Sequence, residues 1–88
     1  MNILSVSKEK NEAVVRLDSN ELVALCNALY QATKADNVRS IIYQLYGNFI
    51  LARDLSQYGH IDAFCYEKIG ECREMVKKIT ESEVTEEK

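Results

Sequence analysis

Apolar residues stand at every second position in two short segments near the start of the chain, 4–7 and 13–17, which flank a polar segment. The apolar members of this pattern are Leu4, Val6, Ala13, Val15 and Leu17. A period of two is typical of strands with one apolar face, so the pattern predicts a β-hairpin over residues 3–17, turning through the polar segment 8–11. A lone two-stranded ribbon is marginal in water. Its apolar face must therefore rest on helices, or its open edge must pair with another chain.

The pattern changes to helical spacing after the second strand. Three helices are predicted, at about 19–34, 37–58 and 62–80. Asp18 and Glu21 have the spacing of a capping box and mark the start of the first helix. Its apolar stripe consists of Leu22, Leu25, Cys26, Leu29 and Thr33.

The second helix is predicted to start at a cap formed by Asp36 or Asn37 and to end at Gly59. Its predicted core stripe consists of Val38, Ile42, Leu45, Phe49 and Ala52, widened by Ile41 and Leu55. The third helix is predicted to follow a cap at Asp62. Its stripe consists of Cys65, Ile69, Cys72, Val76 and Ile79, and the polar tail 81–88 is expected to fray.

These elements predict an α+β, mostly helical fold, with an N-terminal β-hairpin followed by a three-helix antiparallel bundle. The chain has 88 residues, and it shows no internal repeat and no Pro-, Gly- or Ser-rich linker. A single domain over residues 1–80 is therefore expected.

Charge and hydropathy narrow the classes of partner. The formal net charge is -3, and the basic residues are scattered along the chain, with only Lys77 and Lys78 adjacent, which disfavours a nucleic-acid polyanion as partner. No apolar run approaches the ~18 residues of a membrane span. The N-terminal residues lack the basic and apolar pattern of a secretory signal, so a cytoplasmic location is expected. Cys26, Cys65 and Cys72 fit reduced core thiols better than a disulfide framework.

Two chemical sites can be drawn from the sequence, and neither is favoured. His60, Asp62 and Cys65 contain the groups of a cysteine nucleophile, and Cys26, His60, Cys65 and Cys72 contain zinc-ligand types. The cysteines lie on predicted buried stripes, and they lack the close paired spacing of zinc ligands. No catalytic residue, cofactor or metal site is therefore predicted, and a role for His60 with Cys65 or Cys72 beyond structure is left open.

The second helix is predicted to carry more apolar surface than three-helix packing needs. The surplus residues, with two from the first helix, are Tyr43, Tyr46, Ile50, Val23 and Tyr30. Either the hairpin covers them, or they form an interaction surface of the Tyr-rich kind. The sequence thus favours a non-enzymatic interaction or regulatory module that binds itself as a homodimer or binds another protein. A small nucleic-acid-associated regulator is the second interpretation, and an enzyme or metal-binding protein is the third.

Overall fold

The structure is a computed structural model that describes residues 1–86, with side chains described as far as residue 82. Its elements are β1 (Asn2–Ser7), β2 (Glu12–Arg16), α1 (Ser19–Ala32), α2 (Ser40–Tyr58) and α3 (Ala63–Glu86). This order confirms the predicted fold class: an N-terminal antiparallel hairpin is followed by three helices, and the fold is mostly helical.

The hairpin has one irregularity, which lies in β1. Ile3 is opposite Val15, but the next paired residue of β1 is Ser5, which is opposite Val14, so Leu4 is the extra residue of a bulge. The turn closes at Asn11, whose φ of 56° lies in the left-handed region that asparagine tolerates.

The start of α1 forms as predicted. The Glu21 amide donates to Asp18 Oδ1 at 2.8 Å, and the Asp18 amide donates to Glu21 Oε1 at 3.0 Å, which completes the capping box. The amino group of Met1 forms an ion pair with the same Glu21 carboxylate. This ammonium is the main reason why the pKa of Glu21 is lowered, and the hydrogen bond from the Asp18 backbone lowers it further.

The start of α2 was predicted wrongly. The N-cap is Arg39, which makes no side-chain cap hydrogen bond, and the helix begins at Ser40 rather than near 37. Asn37 has a φ of 57°, a left-handed conformation that cannot continue into a right-handed helix. The predicted end is confirmed, because Gly59 takes the left-handed conformation and its amide donates to the Leu55 carbonyl at 3.1 Å.

The core lies where α2 packs against both α1 and α3. Cys26 of α1, Ile50 of α2 and Ile69 of α3 are buried and form one cluster. The α2 and α3 backbones come close at Gly47, where an added Cβ would lie 3.3 Å from the Cβ of Cys72. The predicted stripes of α1 and α3 therefore face the core, as their spacing indicated.

The third helix is longer than predicted. It continues to Glu86, so residues 81–86 of the tail that was expected to fray are helical. This segment contains neither glycine nor proline, and a polar composition alone does not end a helix. The remainder of the predicted tail, 87–88, lies outside the described residues.

Candidate interaction surface

The hairpin has one apolar face. Directly paired residues share a face, and faces alternate along each strand, so the register assigns Ile3, Val6, Ala13 and Val15 to the same side. All four side chains are exposed, Ile3 at 64 % and Val6 at 72 %. The bulge at Leu4 shifts β1 by one residue, which is why Ile3 joins this face although the sequence pattern omitted it. We call these four residues the hairpin face.

The hairpin face does not rest on the helices. Within the described part of the chain, neither strand packs against a helix, and the ion pair between Met1 and Glu21 ties the strands to the start of α1. The interpretation that the hairpin covers the surplus apolar residues of α2 is therefore wrong. A two-stranded ribbon that is marginal alone can rest on helices or pair with another chain, and the structure leaves open only the pairing with another chain.

Three residues of the predicted interaction surface lie on the side of α2 that packs against the other helices. Ile50 is only 2 % exposed and belongs to the core cluster, so it is not available to a partner. Tyr46 is half-buried, and its ring centroid is 6.0 Å from that of Tyr30; burial raises the pKa of the Tyr46 hydroxyl. The Tyr43 hydroxyl donates to the Thr33 carbonyl at 3.4 Å. These contacts give Tyr43 and Tyr46 a role in joining α2 to α1 and to the segment after it.

The two α1 members of the predicted surface are more accessible. Val23 and Tyr30 are each 38 % exposed. The ammonium of Lys34 lies 4.5 Å from the centre of the Tyr30 ring, a cation–π distance. The structure therefore separates the five predicted residues: Val23 and Tyr30 are accessible, Tyr43 and Tyr46 are partly enclosed, and Ile50 is enclosed.

The outward side of α2 was predicted to face the core. Ile41, Leu45, Ala52 and Leu55 follow the helical spacing of a single stripe and are all exposed, Ile41 and Leu55 at 48 %. Because α2 is apolar on both sides, the spacing could not show which side meets α1 and α3. Sequence reasoning thus missed this outward stripe as a candidate surface, although its members are visible in the pattern.

A second feature is a cavity beside the connection between α2 and α3. It has a volume of about 520 Å³, and its lining includes His60, Asp62 and Cys65, so the structure brings the three residues of the possible nucleophilic site to one place. The Nδ1 atom of His60 is 3.1 Å from the Tyr58 carbonyl oxygen, and no hydrogen bond joins His60 to Cys65 among the described residues. The geometry of a nucleophile paired with its base is therefore not present.

The Cys65 thiol is also held in its protonated form. Burial raises its pKa, and the neighbouring Asp54 carboxylate raises it further. Arg53 donates to the Cys65 sulfur at 3.5 Å, which opposes these effects without outweighing them. A thiol with a raised pKa is a poor nucleophile near neutral pH, so the cavity lacks the activation that a cysteine enzyme needs.

Asp54 is a buried carboxylate that the sequence pattern did not single out. It is 2 % exposed, and its Oδ1 is 3.3 Å from Nε of Arg53. Its Oδ2 has no hydrogen-bond partner within the part of the chain that the structure describes. Nothing in the sequence indicated that Asp54 is buried beside Arg53, because a sequence pattern does not show which polar residue is enclosed by its neighbours.

The cysteines do not form a metal centre with their neighbours. All three are free, with Cys26 and Cys72 buried and Cys65 half-buried. Among residues 1–82, whose side chains the structure describes, no group of three or more His, Cys, Asp or Glu side chains is placed to hold a metal ion. Among residues 1–86, no helix combines the length and apolar character that crossing a membrane requires.

Comparison with known proteins gives no family for this chain. No family model matches it, and neither the curated proteins nor the solved structures include a significant match.

Proposed function

We propose that this protein is a non-enzymatic interaction module that self-associates, and that the hairpin is its contact surface. The observation that carries the proposal is the position of the hairpin. Its apolar face is exposed, and neither strand packs against a helix of the same chain. Exposed apolar faces and open strand edges are surfaces that a partner chain stabilises.

The arrangement of the core supports a role outside catalysis. The buried cysteines complete the helix packing, and the cavity that holds His60 and Cys65 lacks an activated thiol. The hairpin adds little to that packing, so its own stability must come from somewhere else. A second copy of the chain supplies both an apolar face and a strand edge.

The test is sedimentation velocity of the full chain over a range of concentrations. We expect the wild-type protein, whose chain mass is 10.1 kDa, to shift from monomer to dimer as its concentration rises. Val15→Lys replaces an apolar β-branched residue of the hairpin face with a charge and should weaken self-association, because lysine fits neither a covered apolar face nor an apolar cross-strand pair.

Val23→Lys is the matched control. Val15 and Val23 are exposed to a similar extent, 42 % and 38 %, but Val23 lies on α1. We expect this variant to associate like the wild type, and far-UV circular dichroism should show native helix content in both variants. A wild-type protein that stays monomeric at high micromolar concentration, or a Val15→Lys variant that associates normally, contradicts the proposal.

A further inference from the structure

The two open edges of the hairpin differ in regularity and charge. The edge of β1 is bent by the bulge at Leu4, and Asn2–Ser7 contains no charged residue. The β2 strand pairs without interruption from Glu12 to Arg16, with a negative side chain at one end and a positive one at the other. Bulges protect an edge from pairing, so β2 is the edge that is open to a further strand.

We infer that β2 pairs antiparallel with β2 of a second copy, about a two-fold axis at Val14, so that Glu12 of each chain faces Arg16 of the other. The inference rests on the proposed self-association and specifies its geometry. A two-fold axis makes the contact closed and self-complementary, as in most homodimers.

The charge pattern fits this register. Glu12 and Arg16 lie two residues on either side of Val14, so the two-fold axis brings each into line with its opposite in the other copy. Within the hairpin these residues face Ser7 and Asn2, which are uncharged, so neither has an oppositely charged cross-strand partner in its own hairpin. A shift of one residue would lose both charge pairs and would place apolar residues opposite polar ones.

The apolar pattern fits it as well. An axis perpendicular to the sheet keeps the faces of both copies on the same side, so Ala13 lies opposite Val15 of the second copy. The hairpin face then continues across four strands. Three or more strands with a hydrophobic face can be stable where a lone hairpin is marginal.

The inferred contact is small. A pair of five-residue strands buries less than the roughly 1,000 Å² of a stable interface, so we expect a dissociation constant in about the micromolar range. At this strength, a change in two cross-strand charge pairs is enough to shift the dissociation constant by a measurable factor.

Charge exchange tests the register. Glu12→Arg alone places like charges opposite each other in a homodimer, and Arg16→Glu alone does the same with the opposite sign. We expect each variant to self-associate about tenfold more weakly than the wild type or worse, since two attractive pairs become repulsive. An equimolar mixture of the two variants should recover a dimer, because every cross-strand pair is then complementary.

The double variant that carries both changes in one chain should also recover wild-type association. Lys10→Glu is the control, because it reverses the charge of an exposed turn residue that lies outside β2. Circular dichroism of each variant should show unchanged helix content, because the strands do not pack on the helices. These results would support the register.

Two outcomes would overturn the inference, and they differ in meaning. If the wild type dimerises and Val15→Lys weakens this, but the single charge variants associate normally or their mixture does not recover, the register is wrong and self-association stands. If the wild type is monomeric, the proposed function fails and the register fails with it.

Discussion

The contact between α2 and α3 predicts different effects for the same substitution at two glycines. Gly47 and Gly70 both lie inside helices, and alanine is the better helix former at such positions. An added Cβ at Gly70 would meet nothing within 4 Å, whereas at Gly47 it would lie 3.3 Å from the Cβ of Cys72. Gly70→Ala is thus a matched control for Gly47→Ala.

The expected magnitudes follow from helix propensity and packing. Gly70→Ala should stabilise the protein by about 1 kcal/mol, since it gains propensity without a clash. Gly47→Ala gains the same propensity, but overpacking between two helix backbones costs about 1–3 kcal/mol. The net effect at Gly47 should lie between zero and a destabilisation of about 2 kcal/mol. The two variants should then differ by about 1–3 kcal/mol.

Urea denaturation followed by far-UV circular dichroism measures this difference. All proteins should be compared at one concentration, because self-association would make apparent stability depend on concentration. In thermal melts, each kcal/mol corresponds to a shift of roughly 4–8 °C for a chain of this size. If Gly47→Ala stabilises the protein as much as Gly70→Ala does, then α2 and α3 are not in close contact at this point, and the packing described here is wrong.

Two further predictions concern the buried polar groups. Arg53→Met should destabilise the protein by about 2 kcal/mol, because it removes the cation 3.3 Å from a carboxylate that is 2 % exposed. Asp54→Asn should change stability by less than about 1 kcal/mol. A larger loss for Asp54→Asn in urea denaturation would contradict this. Burial raises the pKa of Cys26 and Cys72 above their ordinary value of 9.0, so the unfolded chain loses these protons first. The contribution of these thiols to the free energy of unfolding should therefore be constant below pH 9 and fall as the pH rises past it. A variant with alanine at both positions should keep only the part of this slope that comes from Cys65 and Tyr46, whose pKa values are also raised, and an equal slope in that variant would refute the assignment to Cys26 and Cys72.

Local signals in the sequence predicted several elements correctly. The capping box of Asp18 and Glu21, the period of two in the hairpin and the left-handed terminator Gly59 each depend on a few neighbouring residues. The stripes of α1 and α3 were also assigned correctly, because each of these helices has one apolar and one polar side.

The orientation of α2 could not be predicted in this way. The helix is apolar on two sides, and the side that meets α1 and α3 is set by contacts distant in sequence. Gly47 allows Cys72 to approach, and Ile50 completes the cluster with Cys26 and Ile69. Leu45 and Ala52, which were predicted to face the core, are therefore exposed, and Ile50, which was predicted to face a partner, is buried in the core.

Because the hairpin is separate from the helices, changes in the hairpin and changes in the helical core should affect the protein independently. Residues that do not contact each other contribute to stability almost independently. A change in β2 can therefore alter association while the helical core keeps its stability, and a change at Gly47 can alter the core while β2 keeps its edge. A hairpin joined to its fold by so few contacts is poorly explained as a structural element of that fold, and this favours a role for it between chains.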